Sequence, residues 1–207
     1  MSAQVELTNP VDLSVGGMRG HVFRRSIHVG MAIVPWAYFS HGEAVADAAS
    51  LSLPQLVAAL MLALLCAEAI RLRLGITIFG QRDYEATQLS ALMWGSISLG
   101  FVFLLVPDEA YAWPLVLSLA LGDPLMGEMR RKGWNDRKVM MAATGFLIII
   151  WLLCSWQFGT PMWMAFVLAP IAMISEWPRL TYIDDNATML LIPLAFILMF
   201  EPFAQIM

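Results

Sequence analysis

Long apolar stretches separated by short charged segments are the feature that most limits what this chain can fold into. Hydrophobic residues make up 59% of its 207 residues and charged residues only 14%, and the mean hydropathy is +0.70. This composition is too apolar for a soluble domain of this length and is typical of an integral membrane protein. Because one helical span needs about 20 apolar residues, the chain has room for about seven spans. The candidate spans are Ser26 to Phe39, Leu53 to Ile70, Ala86 to Val106, Trp113 to Met126, Val139 to Trp156, Trp163 to Ser175 and Ala187 to Phe200.

The predicted fold class is therefore all-α, a polytopic transmembrane helical bundle. Residues 1–22 are polar and contain glycine, and we interpret them as a cytosolic N-terminal lead-in. Residues 23–207 are predicted to form a single transmembrane helical domain. The stretches beginning at Ser26, Trp113 and Trp163 are short for a full span, so we expect tilting or extension by interfacial residues there.

The 12 lysine and arginine residues collect on one side of these spans. They are Arg19, Arg24, Arg25, Arg71, Arg73, Arg82, Arg130, Arg131, Lys132, Arg137, Lys138 and Arg179. The opposite loops carry acidic residues and neither lysine nor arginine. The positive-inside rule thus places the N-terminus in the cytoplasm and the C-terminus outside. We expect a multi-pass protein of the cell membrane, or of the endoplasmic reticulum membrane in a eukaryote.

The predicted cytoplasmic face also carries most of the acidic residues. They are Glu68, Asp83, Glu85, Asp123, Glu128, Asp136, Glu176, Asp184 and Asp185. Carboxylates bind Mg²⁺ and guanidinium groups bind phosphate oxygens, so this mixture suits a magnesium-bound phosphorylated substrate. The alternative is that the cytoplasmic loops of any membrane protein are charged.

Two local patterns place charged residues three positions apart near the predicted membrane surface. Arg25 and His28 share one helix face at the start of the first span, where they are either functional or serve as a topology anchor and a packing residue. The pairs Glu68 with Arg71 and Arg82 with Glu85 are either site residues or ordinary surface ion pairs.

Asp123 is the strongest single candidate, because it follows an unbroken apolar run. The run extends from Trp113 to Leu121, Asp123 follows directly after Gly122, and the basic residues Arg130, Arg131 and Lys132 come shortly afterwards. A carboxylate at this depth is costly unless it is paired or binds a metal, so a functional role is expected. The glycine would let backbone N–H groups approach phosphate oxygens, although the ending of a Walker loop is absent.

A second acidic group lies directly before the last span. Glu176 is followed by the sequence Asp184-Asp185-Asn186. Helix capping explains one of these residues, but two adjacent carboxylates repel each other unless a cation or an arginine lies between them. We therefore predict a metal-binding or general-base role.

Taken in order, these patterns resemble the polyprenol kinase family, which includes dolichol and phytol kinases. The resemblance rests on a basic pair followed by His, on Glu and Arg at the end of the second span, on an Arg-x-x-Glu, on a Gly-Asp and on a late Glu before Asp-Asp-Asn and Pro. These residues are Arg24, Arg25, His28, Glu68, Arg71, Arg82, Glu85, Gly122, Asp123, Glu176, Asp184, Asp185, Asn186 and Pro193. The chain departs from the family after Gly-Asp, where basic residues replace a Gly-rich run and only Lys138 and Gly145 resemble the usual Lys-Ser/Thr-x-Glu-Gly stretch.

The resemblance implies a CTP-dependent kinase that phosphorylates a membrane isoprenoid alcohol of the dolichol, phytol or geranylgeraniol type, with Mg²⁺ as cofactor, active-site loops facing the cytoplasm and no nucleic-acid partner. It implies catalytic roles for Asp123, Asp185 and Lys138, and Mg²⁺ binding by Asp123 with Asp184 or Asp185. Nucleotide contacts are expected from Arg25, His28, Gly122, Arg130, Arg131 and Asn186, and substrate or structural support from Glu68, Arg71, Arg82, Glu85 and Glu176. Two alternatives are a CTP-dependent lipid cytidylyltransferase and a non-catalytic isoprenoid-binding or transport protein.

Overall fold

The computed structural model describes residues 14–106, 108–177, 180 and 182–204, and these residues form an all-α fold. The helices are α1 (Gly17–Gly30), α2 (Val34–Ala48), α3 (Leu53–Leu74), α4 (Ala91–Leu105), α5 (Glu109–Leu117), α6 (Asp123–Arg131), α7 (Asp136–Phe158), α8 (Met162–Ser175) and α9 (Asp185–Ala204). The predicted all-α class is confirmed. Helix α1 begins inside the segment that we interpreted as a lead-in.

In two places, consecutive helices are joined by a short helical turn of a different type, so that each pair forms one continuous helical path. A 3₁₀ turn, Met31–Ile33, joins α1 to α2, and a π-helical turn, Ser118–Gly122, joins α5 to α6. Two of the three stretches that looked short thus belong to helical paths of more than 20 residues, because the helix continues through the flanking charged residues. The third stretch, α8, has only 14 residues.

Residues at the helix ends explain several of the boundaries. Ser52 and Gln55 form a reciprocal capping box at the start of α3, which satisfies two backbone N–H groups. The side chains of Ser90 and Asn135 cap α4 and α7 in the same position. Helix α3 ends at Gly75, whose φ of 62° is left-handed and therefore favours glycine.

The core lies where α7 packs against α5 and α8, and where α9 packs against α4 and α8. Its largest fully buried side chain is Trp151, whose indole N–H donates to the Ser118 hydroxyl at 2.9 Å. Ser118 in turn donates to the carbonyl of Pro114 at 2.7 Å. The π-helical turn is thereby attached to the centre of the bundle, which sets the position of α6.

Much of the outer surface is apolar. Helices α3 and α7 are long and apolar enough to cross a membrane by length and composition, and α4 and α8 are shorter apolar helices. Only 11% of the most apolar part of α3 is buried. Large side chains such as Leu62 (62% exposed) and Trp156 (84% exposed) lie on the outside. Exposed apolar surface of this extent is typical of an interface with lipid or with another protein.

A buried ion pair attaches the end of α3 to the loop before α4. Arg71 donates to both carboxylate oxygens of Glu68, at 2.7 and 2.8 Å. Its guanidinium also donates to three loop carbonyls, those of Ile76, Glu85 and Gln88. Both side chains are buried, so the alternative of an ordinary surface ion pair is wrong. The pair holds the loop before α4 against the end of α3.

The substitution Arg71→Met should strongly destabilise the protein. It leaves the Glu68 carboxylate buried without its counter-charge, which costs about 3–5 kcal/mol. The thermal unfolding temperature of the purified protein measures this loss. Arg73→Met, two residues further along the same helix at an exposed position, is the matched control. Equal stability of the two variants would contradict the role given to Arg71.

Candidate functional site

Three carboxylates from distant parts of the chain meet at one end of the bundle. Asp123 begins α6, Glu176 directly follows α8, and Asp185 begins α9. One oxygen from each of them lies within 4.8 Å of the others. We call this group the carboxylate triad. Its hard oxygen donors are the ligands that Mg²⁺ prefers.

The π-helical turn before α6 carries Asp123 to this place. Gly122, the last residue of the turn, is buried against α7 and α9. A Cβ atom there would lie 3.1 Å from Leu147 and 3.7 Å from Met189, so glycine allows the close approach. Gly122 therefore serves packing in this structure. Single π-helical turns inside α-helices are frequent at functional sites.

Helix α1 covers one side of Asp123. The imidazole Nδ1 of His28 lies 3.1 Å from Asp123 Oδ2, although the contact is not an aligned hydrogen bond. One turn earlier, Arg25 donates to the Pro124 carbonyl and to His21 Nε2, the latter at 2.9 Å. The predicted residues Arg25 and His28 are thus both beside the triad.

Arg24, the residue before Arg25 on α1, pairs with a buried carboxylate. Its Nη1 atom is 2.8 Å from Glu85 Oε1, and Glu85 is only 1% exposed. Burial disfavours the charged guanidinium, but the charges of Glu85 and Asp184 outweigh burial and raise the pKa of Arg24. Glu85 therefore acts as a structural partner of α1.

Arg130 holds the third member of the triad. It donates to both carboxylate oxygens of Glu176, with Nη2 2.8 Å from Oε2, and its Nε lies 3.9 Å from Asp136 Oδ1. Burial raises the pKa of Glu176 despite this contact. Arg131 pairs with Glu128 at the surface, with Nε 3.0 Å from Oε2. Both of these predicted nucleotide contacts are thus already engaged by carboxylates.

The segment that begins α9 supplies two further polar residues. Asp184 Oδ1 accepts from the backbone N–H of Asn186 at 3.1 Å. Burial and the neighbouring charge of Asp185 raise the pKa of Asp184 well above its usual range, against the opposing effect of Arg24. The Asn186 amide donates to the Ala91 carbonyl at 3.1 Å, which attaches α9 to α4.

Two buried polar atoms near the start of α9 have no hydrogen-bond partner among the described residues. They are Glu85 Oε2 and Asn186 Oδ1, and both residues also bond to the backbone of Ala91. Buried polar groups are normally paired, so orphaned atoms at one place need an explanation such as an ion or a ligand. Together with the three convergent carboxylates, they fit a site that binds a cation and a polar substrate.

Two predicted residues make neither a hydrogen bond nor an ion pair with the triad carboxylates within the described ranges. The side chain of Lys138 is exposed at the start of α7 and, among the residues that the structure describes, makes no ion pair. Arg82 donates to the Tyr84 hydroxyl at 2.7 Å. Sequence reasoning overlooked His21, although its spacing of four and seven residues from Arg25 and His28 places all three on one face of α1. The loop residue Arg179 lies outside the described residues.

Comparison with known proteins found no matching family model, no similar curated protein and no similar solved structure. The resemblance to the polyprenol kinase family therefore remains a prediction from the sequence.

Removing single carboxylates of the triad should weaken the binding of a divalent cation. Because each ligand supplies one of few charged oxygens, we expect Asp123→Asn and Asp185→Asn each to raise the dissociation constant for Mn²⁺ about tenfold or more. Electron paramagnetic resonance of free Mn²⁺ measures this. Asp83→Asn, at an exposed position in the loop before α4, should leave binding unchanged. Equal affinities of the three variants would argue against the triad as a cation site.

Proposed function

We propose that this protein is a membrane-spanning, CTP-dependent kinase that phosphorylates an isoprenoid alcohol. The observation that carries the proposal is the convergence of Asp123, Glu176 and Asp185, which are more than 50 residues apart at their widest, into one group of oxygen ligands. The family resemblance supplies the substrate class. The apolar outer surface of the bundle supports a lipid substrate, because the tail of such an alcohol dissolves among apolar helices.

When α1 with α2 and α5 with α6 are each taken as one continuous path, the described helices make seven paths. We propose that these seven paths cross the bilayer, with the triad at the cytoplasmic surface. In this orientation α8 ends and α9 begins on the cytoplasmic side, so Glu176 and Asp185 lie where a water-soluble nucleotide approaches. The alcohol would present its hydroxyl group at the same level. This arrangement agrees with the placement of all 12 basic residues on one side of the predicted spans.

The transfer joins the hydroxyl oxygen of the alcohol to the γ-phosphorus of CTP. The bond between that phosphorus and the β–γ bridging oxygen breaks, and CDP leaves. Asp123, Glu176 and Asp185 would hold Mg²⁺, which supplies positive charge to the phosphate oxygens. Asp184, which is next to Asp185 in the sequence, would accept the hydroxyl proton. Arg130 orients Glu176, and His28 orients Asp123.

Purified protein incubated with CTP, Mg²⁺ and geranylgeraniol or phytol should yield the lipid monophosphate. Asp123→Asn should lower turnover by at least about a hundredfold, because a ligand of the charge-neutralising cation is lost. Thin-layer chromatography of radiolabelled lipid measures the product. Robust turnover by this variant would remove Asp123 from the mechanism.

The nucleotide product separates this proposal from its nearest alternative. A kinase releases CDP and transfers one phosphate to the alcohol. A cytidylyltransferase acting on a phosphorylated lipid releases pyrophosphate instead. Binding of prenol without consumption of any nucleotide would indicate a non-catalytic protein.

The proposed topology predicts which surface residues face the cytoplasm. In a variant in which Cys66 and Cys154 are replaced by serine, Lys132→Cys should react with a membrane-impermeant maleimide only in inverted vesicles. Asp47→Cys should react only in right-side-out vesicles, because the two positions lie on opposite sides of the predicted spans. Labelling of both positions from one side would contradict the seven-span arrangement.

A further inference from the structure

The arginines around the triad fall into two groups. Some are paired with a carboxylate, whereas two others are hydrogen-bonded only to neutral groups. Arg24 pairs with Glu85, and Arg130 pairs with Glu176. Arg25 instead donates only to neutral acceptors, the imidazole of His21 and the Pro124 carbonyl. Arg82 also has a neutral partner, the Tyr84 hydroxyl. Among the described residues, neither of these two guanidinium groups is hydrogen-bonded to a carboxylate, although the charges of Asp123 and Glu128 lie near Arg25.

Arg82 follows a loop that packs on the start of α1, and its charge lies close enough to act on both His21 and Arg25. The segment that precedes Arg82 pairs with Val15 through two backbone hydrogen bonds, with Val15 N 2.8 Å from Gln81 O and Gly80 N 3.0 Å from Val15 O. A Cβ atom at Gly80 would lie only 3.1 Å from the Gly20 carbonyl. The loop therefore packs directly on the first turns of α1, one turn from Arg25.

The packing around Arg25 holds its guanidinium over α6. A side chain at Gly127 would collide with this guanidinium, since the added Cβ would overlap its Nη2 atom. The absence of a side chain at Gly127 therefore leaves room for the Arg25 guanidinium against α6. His21 is buried and accepts a hydrogen bond from Arg25, and after burial the charges of Arg25 and Arg82 are the next causes that lower its pKa. A neutral imidazole can accept the hydrogen bond from Arg25.

We propose that Arg25 and Arg82, positioned by His21 and Gly127, form an anion site that binds a phosphate group beside the carboxylate triad. Guanidinium groups bind phosphate through two parallel hydrogen bonds, and they do so best when no carboxylate competes. Arg25 contacts Pro124, the residue after Asp123, so an anion there lies next to the proposed cation. The identification of this phosphate with that of a nucleotide rests on the proposed function.

Arg130 and Arg131, at the end of α6, are less suited to bind phosphate than Arg25 and Arg82 are. Arg130 and Arg131 are engaged by Glu176 and Glu128. A carboxylate would have to be displaced before either could bind phosphate. Arg25 and Arg82 would give up only hydrogen bonds to neutral acceptors when they bind the anion. This loss costs less free energy than breaking an ion pair with a carboxylate.

The test is the binding of inorganic pyrophosphate to the full-length protein in neutral-lipid nanodiscs with EDTA, measured by isothermal titration calorimetry. Pyrophosphate should bind without metal. Arg25→Met and Arg82→Met should each weaken it about tenfold or more, because a charged hydrogen-bond donor is lost. Arg19→Met, an exposed arginine of the same helix, should change binding less than twofold. Equal effects of all three substitutions, or no binding by the unmodified protein, would overturn the anion site.

A second pair of variants tests the geometry without changing any charge. Gly127→Ala should weaken pyrophosphate binding by displacing the guanidinium of Arg25, while Gly30→Ala, which has open space around it, should not. If Arg25→Met fails to fold, Arg82→Met and Gly127→Ala still decide the matter. Unchanged binding in both of these variants would exclude the site.

Competition identifies the source of the phosphate. Metal-free CTP should displace pyrophosphate if the site serves a nucleotide, whereas only geranylgeranyl monophosphate in the nanodisc should displace it if the site serves a lipid product. Displacement by neither compound would overturn the proposal. Pyrophosphate binding without kinase turnover would refute the proposed function and leave the anion site standing. Full turnover by Arg25→Met and Arg82→Met would refute the anion site and leave the kinase standing.

Discussion

The burial of carboxylates at one end of the helical bundle is the constraint on which the rest of the structure depends. An ionised carboxylate removed from water is costly unless a cation or several hydrogen-bond donors compensate it. Glu68, Glu85 and Glu176 are each buried, and each is compensated by one arginine from a different part of the chain or of the same helix. These pairs attach α3, α1 and α6 to the loops beside them. The arrangement of the helix ends therefore follows from charge compensation as much as from apolar packing.

Asp123 and Asp185 differ from these three residues, because no arginine is bonded to either of them in the described part of the chain. Asp123 has the contact with His28 and the nearby charges of Arg24 and Arg25, but it accepts no hydrogen bond from an arginine in the described residues. Their repulsion is relieved in a folded protein by a bound cation or by protonation. This contrast with the compensated glutamates is the physical reason for proposing the cation site at the triad rather than at another acidic position on the same surface.

The sequence was sufficient to predict the helical class and the approximate position of every apolar helix, because hydropathy over a span is a strong and local signal. Helix α1 starts earlier than expected, since its polar first turns carry no apolar pattern. The convergence of Asp123 with Asp185 was expected from the order of the motifs. Glu176 was expected as substrate or structural support and not as a triad member, because its place depends on the end of α8 and on its contact with the distant residue Arg130.

The partners of the arginines could not be predicted, because they depend on tertiary contacts between distant residues. Arg130 and Glu176 are 46 positions apart, and Arg24 and Glu85 are 61 positions apart. In sequence, Arg24 and Arg25 are equivalent members of one basic pair. In the structure their side chains have different partners, because successive residues on a helix are about 100° apart. One arginine therefore compensates a buried glutamate, and the other keeps its charge beside Asp123. The two arginines of this motif therefore have different roles, and the difference depends on which residues surround α1 in the folded protein.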